Sequence, residues 1–111
     1  MWMNQETEIK ESIEFYQKCV HIMGKKALDY AQNDDCFSNF KKVAQIVEIP
    51  VEKVLLVFIV LKVARIVELL KNGTSAVGES IKDSLLDGCN YNTILALWLE
   101  EKEKENALRR K

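Results

Sequence analysis

VEKVLLVFIVLKVARIVELLK, residues 51 to 71, is apolar nearly all round as far as Leu61. A surface helix keeps one polar side for water, so a helix without one belongs at the centre of a fold. Its ends are marked. Ile49-Pro50 opens it, because proline tolerates a first turn, and Asn72-Gly73 closes it. The apolar run VLLVFIVL, residues 54 to 61, falls far short of the ~20 residues that cross a bilayer, and Lys53 and Lys62 bracket it. The stretch therefore predicts a core helix. It is apolar around more of its circumference than two or three neighbours in one small chain can cover. That predicts a homo-oligomer, either a dimer or a tetramer built as a dimer of dimers.

Upstream, Ile9, Ile13, Tyr16, Val20, Met23, Ala27 and Tyr30 recur at steps of three and four, which predicts an amphipathic helix from about residue 6 to 32 with this stripe inward. Asn33-Asp34-Asp35 ends it and can cap the next helix. FSNFKKVAQIVEI, residues 37 to 49, reads as a short helix with Phe40, Val43, Ala44 and Val47 facing the core. Downstream, TSAVG is a polar connector, and Thr74 or Ser80 can cap a last helix over residues 79 to 105. The charged tail, residues 106 to 111, is expected to fray. One all-α domain over residues 1–105 follows, a bundle of three long helices and one short one. With 111 residues, 48% hydrophobic and 30% charged, the chain can build one core but not two.

Several classes of function are excluded by the same residues. A net charge of −1 gives no basic field for DNA or RNA. Cys19, Cys36 and Cys89 are widely spaced and His21 stands alone, so no familiar zinc pattern exists. The thiols read as reduced and structural, and the N-terminus lacks a signal pattern, so a cytoplasmic protein with no membrane contact is expected.

The chemistry concentrates in ESIKDSLLDGCNY, residues 79 to 91. Glu79, Asp83 and Asp87 share one side of a helix, where neighbouring like charges cost roughly a few tenths of a kcal/mol per pair. Asn90 lies on the same side, and Ile94, Leu97 and Trp98 continue it as an apolar column. A face that is core at one end points into a cleft at the other. The central helix shows the same change of character, from Leu55 and Phe58 to Lys62 and Arg65. Two readings stand side by side. Lys62 and Arg65 can form partly buried salt bridges with Asp83 and Asp87. Alternatively the oxygen-rich, thiol-free column can hold a hard cation such as Mg²⁺, with the two cations on a ligand's phosphates. Tyr30, Phe37, Phe40 and Tyr91 can stack a base or simply fill the core.

Read together, KKALDY (25–30), FSNF (37–40), KVAR (62–65) and the block at 79–91 resemble a family of mostly phage-borne small helical proteins, the nucleotide-modification-associated domain family. That family looks akin to the MazG-like all-α nucleoside triphosphate pyrophosphohydrolases. The likeness covers most of residues 20 to 100, and its most specific block is the last, close to E-S-I-x-D-x-x-x-D-x-x-N-Y. The resemblance implies a MazG-like bundle and a nucleotide ligand. The further kinship implies release of pyrophosphate from a (deoxy)nucleoside triphosphate with Mg²⁺ or Mn²⁺. On this likeness Glu79, Asp83 and Asp87 would be the metal-binding and catalytic carboxylates, and Lys62 and Arg65 would hold phosphate. Lys26 and Asp29 would line the mouth, while Asn39, Asn90 and Tyr91 would contact sugar or base. MazG-like enzymes carry a Glu-x-x-Glu pair on the preceding long helix, where this chain has Lys62, Arg65 and Glu68. The alternative is a non-catalytic nucleotide- or protein-binding module of a phage or mobile element.

Overall fold

A computed structural model describes residues 1–30, 35–73 and 80–110, with side chains of residues 27–30 excepted. The helices are α1 (Gln5–Tyr30), α2 (Ser38–Val47), α3 (Val51–Asn72) and α4 (Ile81–Arg109), three long and one short. Their ends follow local chemistry. Asn4 Oδ1 accepts the Thr7 N–H at 2.8 Å and so caps α1. Asp35 accepts the Phe37 N–H at 3.0 Å just before α2 begins. Gly73, at φ +79°, ends α3 in the left-handed conformation that only glycine adopts without strain, and its N–H bonds the Leu69 carbonyl at 2.8 Å. Between α2 and α3 the chain turns at Glu48, a non-glycine residue at φ 58°, and Pro50 then sits extended at the cap of α3.

The core is small and lies where α2, the first half of α3 and the middle of α4 meet. Ala44, Val51, Val54 and Leu55 are buried there, with Phe40, Val43, Phe58, Ile94, Leu95 and Trp98 packed around them. Both α2 and α4 pack on α3, but it is not buried all round as its sequence predicts: Leu56, Val57, Val60, Leu61, Val63, Val67 and Leu70 are more than half exposed. α1 packs on α4 through a narrower strip. Cys19 is buried in that strip, where desolvation and the neighbouring Cys89 thiol push its pKa up to about 11, so it stays a protonated structural thiol. Cys36 is exposed.

Three further expectations need correction. The α1 stripe does not face the core of its own chain: Ile9, Ile13, Tyr16 and Val20 are all more than half exposed. The side of α1 turned to α4 is the neighbouring one, with Cys19 buried and Ser12, Phe15 and Ile22 half-buried. Val47 likewise faces solvent, because α2 is a short helix with α3 on one side only. The charged tail is helical to Arg109 rather than frayed, its length carried by helix-favouring Glu, Lys, Ala and Leu.

The α3–α4 contact is pinned at one end by Glu52. Its carboxylate accepts from Trp98 Nε1 at 2.9 Å and from Lys102 Nζ at 2.9 Å. These two donors, led by the indole, hold its pKa down to about 2 from an ordinary 4.5. A carboxylate whose pKa is lowered by folding stabilises the fold above its unfolded pKa and loses that effect as pH falls through its folded one. Stability should therefore fall between about pH 4.5 and pH 2. Glu52→Gln should be less stable at neutral pH and show a shallower acid limb in urea melts, and an unchanged limb would refute the pairing.

Candidate functional site

Ser80 begins α4 in an extended conformation, and its hydroxyl accepts the Asp83 N–H at 3.1 Å. The Asp83 carboxylate returns the bond, accepting the Ser80 N–H at 3.1 Å. This reciprocal cap satisfies two backbone donors that a helix start leaves orphaned, and Asp83 favours the positive end of the helix dipole. One turn later, Asp87 has a different task. Lys26 of α1 donates to its Oδ1 at 2.7 Å, and Lys62 of α3 lies 3.0 Å from its Oδ2. The Asp87 side chain is 16% exposed, and burial pushes its pKa up, but the two lysines outweigh burial and leave it below the ordinary 3.8.

The acidic column thus divides into a helix cap and a three-helix ion pair, while Glu79 lies outside the described residues. Among the described residues no three His, Cys, Asp or Glu stand close enough to share a metal ion. The two carboxylates that are described are already engaged within the protein. One oxygen of Asp83 is committed to the Ser80 amide, and both oxygens of Asp87 are committed to ammonium groups that a cation would have to displace.

Beside this junction a cleft of about 600 Å³ opens along α3 and α4, lined by Phe58, Leu61, Lys62, Ala64, Arg65, Glu68 and Tyr91. It is an open groove rather than an enclosed cavity, with Leu61 on its lining 57% exposed. Tyr91 and Phe58 stack in it, with ring centroids 5.4 Å apart and planes 23° from parallel, and Phe40 meets both rings edge-on. The cleft is lined by these two rings, stacked on each other, together with an ammonium and a guanidinium. Just before Tyr91, Asn90 is 6% exposed, and neither polar atom of its amide has a hydrogen-bond partner among the described residues. An unsatisfied buried amide costs roughly 1–3 kcal/mol, so its retention calls for a reason.

Of the residues singled out by sequence, Lys26, Lys62, Arg65, Asp87 and Tyr91 gather around this cleft and junction. Asn90 adjoins them in sequence, Asp83 stands one turn away, and Asn39 is exposed on α2. The Asp29 side chain lies outside what is described. Phe37 serves the core, edge-on to Trp98 at 5.2 Å. Phe58 was legible only as a core residue. Its position four residues before Lys62 and seven before Arg65, on the same helical face, was the available signal. Compared with known proteins, the chain matches no family model, no curated protein and no solved structure.

The two aspartates make separable predictions. Asp87→Asn should lower unfolding stability by about 2 kcal/mol, since it strips charge from two hydrogen bonds. Asp83→Asn keeps a capping acceptor and should cost only about 0.5 kcal/mol. Millimolar Mg²⁺ should leave the wild-type melting temperature unchanged. A Mg²⁺-dependent rise that Asp83→Asn abolishes would mean the column holds metal after all.

Proposed function

We propose that this chain binds a nucleotide, or a planar anion of the same kind, in the cleft between α3 and α4, and does so without turning it over. The observation that carries the reading is the stacked Phe58–Tyr91 pair walled by Lys62 and Arg65. A nucleotide presents a flat π-surface and phosphate oxygens a short distance apart. Aromatic faces take the first, and a guanidinium takes the second through paired N–H donors. Asn90 precedes Tyr91 in sequence but is buried and is not among the residues that line the cleft, so it takes no part in this reading. The resemblance to the nucleotide-modification-associated family points to the same class of ligand.

Binding rather than hydrolysis is favoured by the donor set. Water attack on a phosphoryl group needs its charge neutralised and its nucleophile oriented. Asp83 and Asp87, the described candidates for that work, are engaged in a helix cap and an ion pair. Lys62 and Arg65 already have interactions within the protein, so a bound phosphate exchanges partners with them rather than meeting bare charge.

Calorimetry with a panel of nucleoside mono- and triphosphates tests this. At least one should bind, and Arg65→Ala should weaken it by roughly 10- to 100-fold, the loss expected for charge-assisted hydrogen bonds. Helix content and melting temperature should stay close to wild type. If no member of the panel binds, or if Arg65→Ala unfolds the chain while its folded fraction binds normally, the cleft is not a nucleotide site.

A further inference from the structure

The single chain leaves far more surface in water than its size calls for. Its accessible area is 8996 Å², against about 6,300 Å² for a folded monomer of this mass. Its radius of gyration is 16.7 Å, against about 13 Å for a chain of this length. The excess is apolar in specific places. On α3, Leu56, Val60, Val63, Val67 and Leu70 are each more than half exposed. They form the face opposite Val51, Leu55 and Leu69, which are buried. On α1, the stripe Ile9, Ile13, Tyr16 and Val20 is likewise open.

We infer that a second copy of this chain covers both faces in an isologous dimer, and that it also walls the open side of the Phe58–Tyr91 cleft. Three observations select a second copy as the occupant. The excess is roughly 2,700 Å² per chain, and even half of it from each copy would bury as much as an obligate dimer interface needs. The α1 stripe is flanked by both signs, Glu11 and Glu14 with Lys10 and Lys18, a pattern that can complement itself across a two-fold axis. With those glutamates beside the lysines and a net charge of −1, the stripe lacks the basic flank that binds an anionic lipid surface. The link to the cleft is Leu61. It lines the cleft, yet it is 57% exposed and lies beside the outer face of α3. Whatever covers Val60 and Val57 there also shades Leu61 and closes that side. This part rests on the cleft described above, but not on what the cleft binds.

The test uses the full chain without nucleotide, so its failure is separate from failure of the ligand reading. Sedimentation velocity at tens of micromolar should show a dimer. Val60→Glu on α3 and Ile13→Glu on α1 should each shift it toward monomer. Both positions are more than half exposed within one chain, so a charge there need not unfold it, and circular dichroism should show helix content retained. Hydroxyl-radical footprinting should find Leu61, Leu56 and Tyr16 several-fold less reactive in the wild type than in the Val60→Glu variant. A monomeric wild type would overturn the proposal, in favour of an unlike partner on these faces. A dimer that both charged variants leave intact would overturn the choice of face. Equal reactivity of Leu61 in dimer and monomer would overturn its closing of the cleft.

Discussion

The carboxylate of Asp87 is the polar point at which α1, α3 and α4 are tied together. It carries one hydrogen bond to Lys26 and one contact to Lys62, each from a different helix. A carboxylate taken mostly out of water is unfavourable alone and becomes tolerable when each oxygen has its own ammonium. That requirement fixes where α1 can lie, since Lys26 has to reach α4. It also fixes the register of α3 against α4, which sets Tyr91 beside Phe58 and brings Arg65 to the same cleft. The proposed cleft and the fold's registration therefore draw on the same few side chains.

Much of the fold was legible because its signals are local. Gly73 stops α3, Pro50 starts it, and Ser80 caps α4, each for reasons contained within one helical turn. The place of α3 in the core was legible in part: Val54 and Leu55 of its apolar run are buried, while Leu56, Val57, Val60 and Leu61 are not. What could not be read was cover. Ile9, Ile13, Tyr16 and Val20 announce a face that avoids water, but periodicity does not say whether the covering surface comes from the same chain. The expectation took the nearest answer, and the single chain leaves that face open.

The acidic column failed to resolve for a different reason. Spacing places Asp83 and Asp87 on one side of a helix, but the role of Asp87 depends on Lys62 and Lys26 of two other helices. Lys62 is legible as a partner from its place on the face of α3 that changes from apolar to charged. Lys26 entered through the family likeness and not through pairing, because the α1–α4 approach has no local signature. Asp83 could have been read more closely: Ser80-x-x-Asp83 ahead of an apolar helix has the form of a reciprocal cap. The attraction of a three-carboxylate column obscured the smaller, commoner use of its middle member.

The turn at Glu48 bears on how the molecule comes together. α2 and α3 are joined by only three residues, and their shared contacts are close in sequence, the kind that form early because little chain entropy is lost in closing them. α4 then completes the core through Ile94, Leu95 and Trp98. α1 contributes Cys19 to a separate strip, and none of its described side chains joins that central cluster. In an isolated chain it is the natural unit to open first and to exchange its amide protons soonest. If its outer stripe is satisfied only by another molecule, the docking of α1 and the arrival of that molecule become one event. The slow step in assembling this protein would then depend on its concentration, even though most of its secondary structure is already in place.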